Sequence, residues 1–338
     1  MIIEIEKKIF SQAFRNCYFE SYRHQQPVII QKALNNSIAL EKWNVNYLSD
    51  KVGEAKITLL KYQDGSNDFD KVSHKKSTLA DYLANLLLGN PDRTYWFNIL
   101  DSGNFWCNEK YKVPINESLQ VLQNDFDLKG LFIDQQLVYS QLVLGGNNVS
   151  TKLHFDWGGE AKLLTQIIGC KEVYLIHPDD IKAVALNKIF DQVNIASSPV
   201  DLWDENVLQK LASKIKVYHA IIEPGDILYW PSYWMHSVRN INDITLAINT
   251  PVDELPLSSL FIRQCFTHLT CELFNDKSLA ELSPQTMKTF QKSIHNIEEQ
   301  LINKAPSSLF QWSSEWPTDP FEPIYTQNHW NCTAAANE

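Results

Sequence analysis

Apolar and polar residues alternate in short runs through the second half of the chain, and turn residues separate the runs. From about residue 136 the runs follow closely: QLVYSQLVLGG, TKLHFD, LLTQIIG, KEVYLIHP, VYHAIIEPGDILYWP, HSVRN and ITLAINTPV. A period of two places successive side chains on opposite faces of a strand, so each run predicts one. The Gly, Pro, Asn and Asp between them predict tight connections, and short strands at this density predict an antiparallel barrel or sandwich. Upstream, QQPVIIQKAL, AKITLLKY and RTYWFNIL also suit strands. Thr78 with Asp81 three residues on predicts a capped helix over LADYLANLLL, ended by Gly89-Asn90. After Pro256 the pattern becomes helical. Ser283-Pro284 supplies a cap and a proline at the first helical position, and Met287, Phe290, Ile294, Ile297 and Leu301 recur at steps of three and four up to Pro306. The expected organisation is a mixed α and β part over 1–130, a β core over 131–255 and a helical region over 256–338.

Composition narrows the class. The chain has 338 residues, 44% hydrophobic and 21% charged, which is ample material for a globular core. No apolar run reaches the roughly 18 residues that span a bilayer, so the expectation is a soluble cytoplasmic protein with no membrane partner. The six cysteines are scattered without a C-x-x-C pair and suggest neither a zinc cage nor a disulfide framework. A net charge of −10, with SHKKS as the only basic cluster, argues against a nucleic-acid surface.

Within TKLHFD, His154 and Asp156 stand two apart and share one face of a strand, where they could grip one ion. Alone, a histidine on a strand is more often a satisfied core residue than a ligand, and a chance H-x-D is plausible among nine histidines. EPGDILYWPSYWMHSVRN adds His236, 82 residues beyond His154, after the turn Pro224-Gly225-Asp226 and an apolar strand. Two imidazoles and one carboxylate on neighbouring strands form a facial triad, the arrangement suited to ferrous iron with open coordination positions. Lys171 leads an alternating strand on the face of Val173 and Leu175, where an ammonium needs an anion unless it snorkels to solvent.

TKLHFD, IIGCKEVYLIHP, EPGDILYWPSYWMHSV and ITLAIN, in this order and spacing, resemble the cupin-like JmjC 2-oxoglutarate oxygenases, especially the group containing the factor-inhibiting-HIF asparaginyl hydroxylase. The resemblance implies a double-stranded β-helix (a cupin or jelly-roll core, mainly β with flanking and C-terminal helices). It implies Fe(II) held by His154, Asp156 and His236, with 2-oxoglutarate and dioxygen as co-substrates. It also implies that Lys171 pairs with the distal carboxylate of 2-oxoglutarate, that Thr151 hydrogen-bonds it, that Tyr95 is a third contact and that Asn249 lines the pocket. Read from the residues alone, Thr151 is a good strand former, Tyr139 rivals Tyr95, and Asn249 could serve structure only. The segment WGGEAK departs from the family, and Trp157, Trp230 and Trp234 either line an entrance or pack.

The implied activity is hydroxylation of an amino-acid side chain of a protein or peptide, with decarboxylation of 2-oxoglutarate to succinate. The rivals are an N-methyl-lysine demethylase and a non-catalytic cupin binding protein. The stripe through Ile294 packs on the chain's own barrel or forms a helix-to-helix seam. The group it resembles dimerises through C-terminal helices, so the expectation is a homodimer. Replacing Ile294 with a charged residue then shifts the mass in light scattering toward the monomer, because the dimer would bury an unpaired charge. A wild-type monomer at micromolar concentration returns the stripe to the core.

Overall fold

The computed structural model describes residues 1–10, 26–34, 37–62, 72–89, 94–101, 119, 121–122, 125–126, 140–155, 161–177, 180, 183–184, 196–231 and 234–252. Two sheets face each other. The six-stranded one runs in the order β1 (Ile2–Glu4), β12 (Val217–Ile222), β10 (Lys171–Ile176), β14 (Met235–Asn240), β8 (His154–Phe155) and β11 (Ala196–Ser197). The nine-stranded one runs β2 (Lys7–Ile9), β3 (Val28–Gln31), β13 (Ile227–Trp230), β9 (Ala161–Ile168), β15 (Thr245–Val252), β7 (Ser140–Gly145), β6 (Thr94–Asp101), β4 (Lys56–Tyr62) and β5 (Val72–Thr78). From β7 to β10 and again from β12 to β15, successive strands alternate between the sheets, which is the double-stranded β-helix expected from the sequence. Ile29, Leu164, Val173, Leu175, Ala220, Leu228, Trp230 and Ala247 come from both sheets and form one buried cluster between them.

The outer faces are covered by helices. Among the described residues these are α1 (Ile38–Lys42), α2 (Val45–Val52), α3 (Leu79–Leu87) and α4 (Glu205–Ala212). The cap of α3 is the one read from the sequence: the Thr78 hydroxyl accepts from the Asp81 N–H at 3.2 Å, and Gly89 follows with a left-handed φ of 88°. Leu79, Tyr82, Leu83 and Leu86 of α3 pack with Ile57, Leu142, Leu163 and Ile248 on the outer face of the nine-stranded sheet. Asp204 caps α4, and Leu208 and Leu211 cover Tyr174, Ile176, Val217 and Met235 on the other sheet. Each buried side chain of this size contributes about 1.5–3 kcal/mol, so both outer layers stabilise the walls that carry the site.

Three elements differ from the sequence reading. β1 lies parallel to β12 and β2 lies parallel to β3, so the sandwich is not purely antiparallel. Both added strands are edge strands, where one open row of backbone groups accepts a neighbour in either direction. The SHKKS cluster forms most of β5, which among the described residues is an outermost strand pairing only with β4, and its lysines suit an open edge. Residues 253–338, including the stripe through Ile294, lie outside the described residues, as do Asp156, Trp157 and Tyr139. No helix among the described residues is long and apolar enough to cross a membrane.

Candidate active site

His154 of β8 and His236 of β14 are register partners, with ring centroids 4.2 Å apart. Partners directly opposite in an antiparallel pair project to the same side. His236 is also opposite Leu175, a member of the cluster between the sheets, so both imidazoles point into the sandwich. Each is 5% exposed. The main chain sets their tautomers. His154 Nδ1 lies 2.6 Å from the Lys152 carbonyl, and His236 Nδ1 lies 3.2 Å from the Trp234 carbonyl. A carbonyl can only accept, so each Nδ1 carries a proton, and in the neutral ring that ligates a metal the lone pair is then on Nε2. This donor pair fits a divalent ion. Among the described residues no group of three or more His, Cys, Asp or Glu gathers, so the pair is the part of the predicted triad brought together here. Trp230 packs 4.9 Å from the His236 ring, and Trp234 packs against His177 and Tyr218; both tryptophans are core residues rather than an open entrance.

The second part of the site is built by the β9 to β10 hairpin. Gly169 turns it with φ 65°, and a Cβ there would lie 2.4 Å from the Ile244 carbonyl. Gln166 Nε2 donates to the carbonyls of Ile168 and Gly169 at 2.7 and 2.9 Å, and the Cys170 N–H donates to Asn242 Oδ1 at 2.6 Å. The pinned hairpin delivers Lys171 to the inner face, where it is 3% exposed. The snorkelling alternative is therefore excluded. Lys171 Nζ donates to Asn240 Oδ1 at 2.5 Å, and burial pulls its pKa down from 10.5 to about 7. Asn240 is itself held: its Nδ2 donates to the Gly146 carbonyl at 3.1 Å and its N–H to the Val149 carbonyl at 2.9 Å.

The other sequence-predicted residues surround this corner to different degrees. Tyr95 is buried with Leu60 and Val149 and pairs in register with Gly145, beside Asn240. Thr151 Oγ1 accepts from the Val238 N–H at 3.0 Å, so the hydroxyl hydrogen is still available to donate. Asn249 pairs with Gln141 and Leu164 further along the nine-stranded sheet; its Nδ2 donates to Gln141 Oε1 at 3.4 Å, while its buried Oδ1 has no hydrogen-bond partner among the described residues. Asn240 is a site residue that sequence reasoning did not single out.

Gly145 makes room for the corner, since a Cβ would lie 2.8 Å from Asn240 Nδ2 and 3.4 Å from Tyr95 Cβ. Gly145→Ala is expected to push the Asn240 amide off Lys171, to destabilise the fold by about 1–3 kcal/mol through overpacking, and to weaken dicarboxylate binding. Thermal melts with and without 2-oxoglutarate check this; an unchanged ligand-induced rise would separate Gly145 from the site.

Residues 14–250 match the cupin-like domain family. The chain is 25% identical over 235 residues to tRNA wybutosine-synthesizing protein 4 of Gibberella zeae, covering 67% of this chain and 21% of that protein. It is 21% identical over 288 residues to tRNA wybutosine-synthesizing protein 5 of Homo sapiens, covering 82% of this chain and 85% of that protein. With HSPB1-associated protein 1 of Bos taurus it shares 22% identity over 312 residues, 85% of this chain and 60% of that protein. The chain thus spans about a fifth of the length of the first of these relatives. The narrower grouping with the asparaginyl hydroxylase is not established by these relatives. The family is, at the level of the fold and of the sequence: this chain belongs to the cupin-like domain family.

Proposed function

We propose that the chain is an Fe(II)- and 2-oxoglutarate-dependent oxygenase that hydroxylates a macromolecular substrate, namely an amino-acid side chain of a protein or peptide. The observation that carries this reading is the pairing of two main-chain-pinned imidazoles with a buried lysine on the neighbouring strand. When bound, iron and 2-oxoglutarate supply oxidation by dioxygen, with the 2-oxo acid leaving as succinate and carbon dioxide. The chain's residues do the rest. His154 and His236 present Nε2, and Asp156 contributes the anionic ligand. Lys171 neutralises the distal carboxylate, which returns the buried ammonium to its charged form, and Asn240 holds that ammonium in place. Thr151 donates its hydroxyl hydrogen to the same carboxylate, with Tyr95 as a third contact and Asn249 on the cavity wall. Leu175, Trp230 and Val238 keep water from the reacting centre.

The names of the relatives from tRNA wybutosine synthesis favour a second reading, in which the substrate is an RNA. The net charge of −10 weighs against it. Incubation of the full chain with iron, ascorbate and 2-oxoglutarate, following succinate with added peptide pools or total tRNA, discriminates the two. Stimulation by peptides with a mass gain of one oxygen atom supports the protein reading, stimulation by tRNA supports the other, and loss of a methyl group from methylated peptides supports a demethylase. Succinate that never exceeds a no-enzyme control would sink the oxygenase reading.

A further inference from the structure

We propose that residues 1–10 form a pH-sensitive clasp on the sandwich, latched by His219 and loosened when that imidazole gives up its charge. The proposal stands apart from the oxygenase reading, since it invokes none of the residues assigned to iron or 2-oxoglutarate. β1 adds to the six-stranded sheet beside β12, and β2 adds to the nine-stranded sheet beside β3. Ile5, between them, is 6% exposed and belongs to the cluster between the sheets, with Val173, Leu175 and Trp230. Its N–H donates to the His219 carbonyl, and the Ile29 N–H donates to the Glu6 carbonyl, both at 2.9 Å. One short segment therefore ties the two sheets together. β1 itself is only three residues long, and so brief a strand is marginal unless something besides its ladder holds it.

The side chains supply that hold. Glu4 is the register partner of His219, whose Nδ1 lies 2.7 Å from Glu4 Oε1 and whose Nε2 lies 3.1 Å from Glu172 Oε1. A carboxylate can only accept, so both ring nitrogens must donate, and the doubly protonated imidazolium is the form that does so. The other groups around the ring decide which contact yields. Glu172 of β10 is also held by Arg239 of β14, whose guanidinium stacks 4.4 Å from the Trp203 ring. Burial pushes the Glu172 carboxyl up, but the bonds from Arg239 and His219 outweigh it and keep the group below the usual carboxylate range. Tyr174, its ring 5.0 Å from that of His219, is pushed up to about 12 by burial, with Glu172 and Glu205 of α4 adding to the rise, and stays a neutral phenol. Glu4, by contrast, has a side chain 74% exposed against 15% for Glu172. Imidazole is the side chain that changes charge between about pH 5 and 8. When the ring loses one proton, one nitrogen turns a lone pair toward a carboxylate; Glu172 keeps the remaining N–H, and Glu4 is released to water. Ile5 then loosens from the cluster that includes Leu175, the register partner of His236.

Hydrogen exchange of the full chain, read by mass spectrometry at about pH 5 and about pH 8 and corrected for the intrinsic effect of pH on exchange, tests this. Protection of the amides in residues 2–9 is expected to fall by about two- to five-fold at the higher pH, the scale of one solvent-exposed ion pair, while that of β15 holds. His219→Phe, which has no ring nitrogen, should show the lower protection at both pH values. Glu4→Gln gives the sharper result. An amide can accept from the charged ring or donate to the neutral one, so this exposed substitution should keep the clasp closed at both pH values. Equal protection of wild-type residues 2–9 at the two pH values would overturn the proposal. So would a fall of wild-type size that persists in Glu4→Gln, or one that β15 shares, since the opening would then belong to the whole fold.

Discussion

Turnover of 2-oxoglutarate is expected to disappear when His236 is replaced with alanine. Substitutions of groups that merely orient a metal ligand reduce metal affinity or activity by about 10- to 100-fold, so loss of the ligand itself should exceed that range. The side chain also packs against His154 and Trp230, and its removal leaves a small void that costs on the order of 2 kcal/mol. The protein should therefore remain folded but melt a few degrees lower. Succinate formation and metal stoichiometry, measured on the same sample, check both parts. Asp156→Ala should match the loss of succinate, and undiminished succinate from either variant would remove these residues from the metal assignment.

Lys171→Met should have the second-largest effect, and in opposite directions for stability and binding. Burial lowers the pKa of Lys171 from 10.5 to about 7, so near neutral pH the empty protein carries an ammonium that is close to losing its proton. Between those two values the unfolded chain binds more protons than the folded one. Stability of the empty wild type therefore rises with pH across that window, whereas Lys171→Met lacks this rise and melts higher at pH 7. Binding of a dicarboxylate restores the charge and takes up a proton above pH 7, so wild-type affinity should decline as pH climbs from there. In Lys171→Met the affinity should drop by about ten- to a hundred-fold and lose this pH dependence. A variant that binds 2-oxoglutarate normally would move the anion site to another residue.

The parts of this molecule legible in the sequence are those governed by local periodicity. Every run read as a strand from TKLHFD onward is a strand over at least part of its length, and the Thr78 cap and the Pro224-Gly225-Asp226 turn stand where their residue types require. Lys171 was readable because an ammonium on an apolar strand face contradicts its surroundings. Lys162 near the start of β9 is buried too, at 2% exposure, yet the run LLTQIIG begins one residue past it, and the apolar stretch hides the lysine that leads it. Asn240 carried no signal of its own. Its importance comes from a partner 69 residues away, through a register that no local pattern specifies. β1 and β2 were missed for a similar reason: their alternation is brief, and what makes them strands is the open sheet edge they meet.

Lys152 and Trp234 each serve a histidine two positions later in the chain, and they do so through main-chain oxygens. Substituting the side chain of Lys152 or Trp234 should thus leave the Nδ1 partner of each imidazole in place, because the orienting atom survives every substitution at both positions. The same device makes the donor pair ready before any ion arrives. Chelation and reloading should then be a reversible exchange on a standing scaffold, open to cobalt or manganese as spectroscopic substitutes, rather than a cycle of unfolding and refolding.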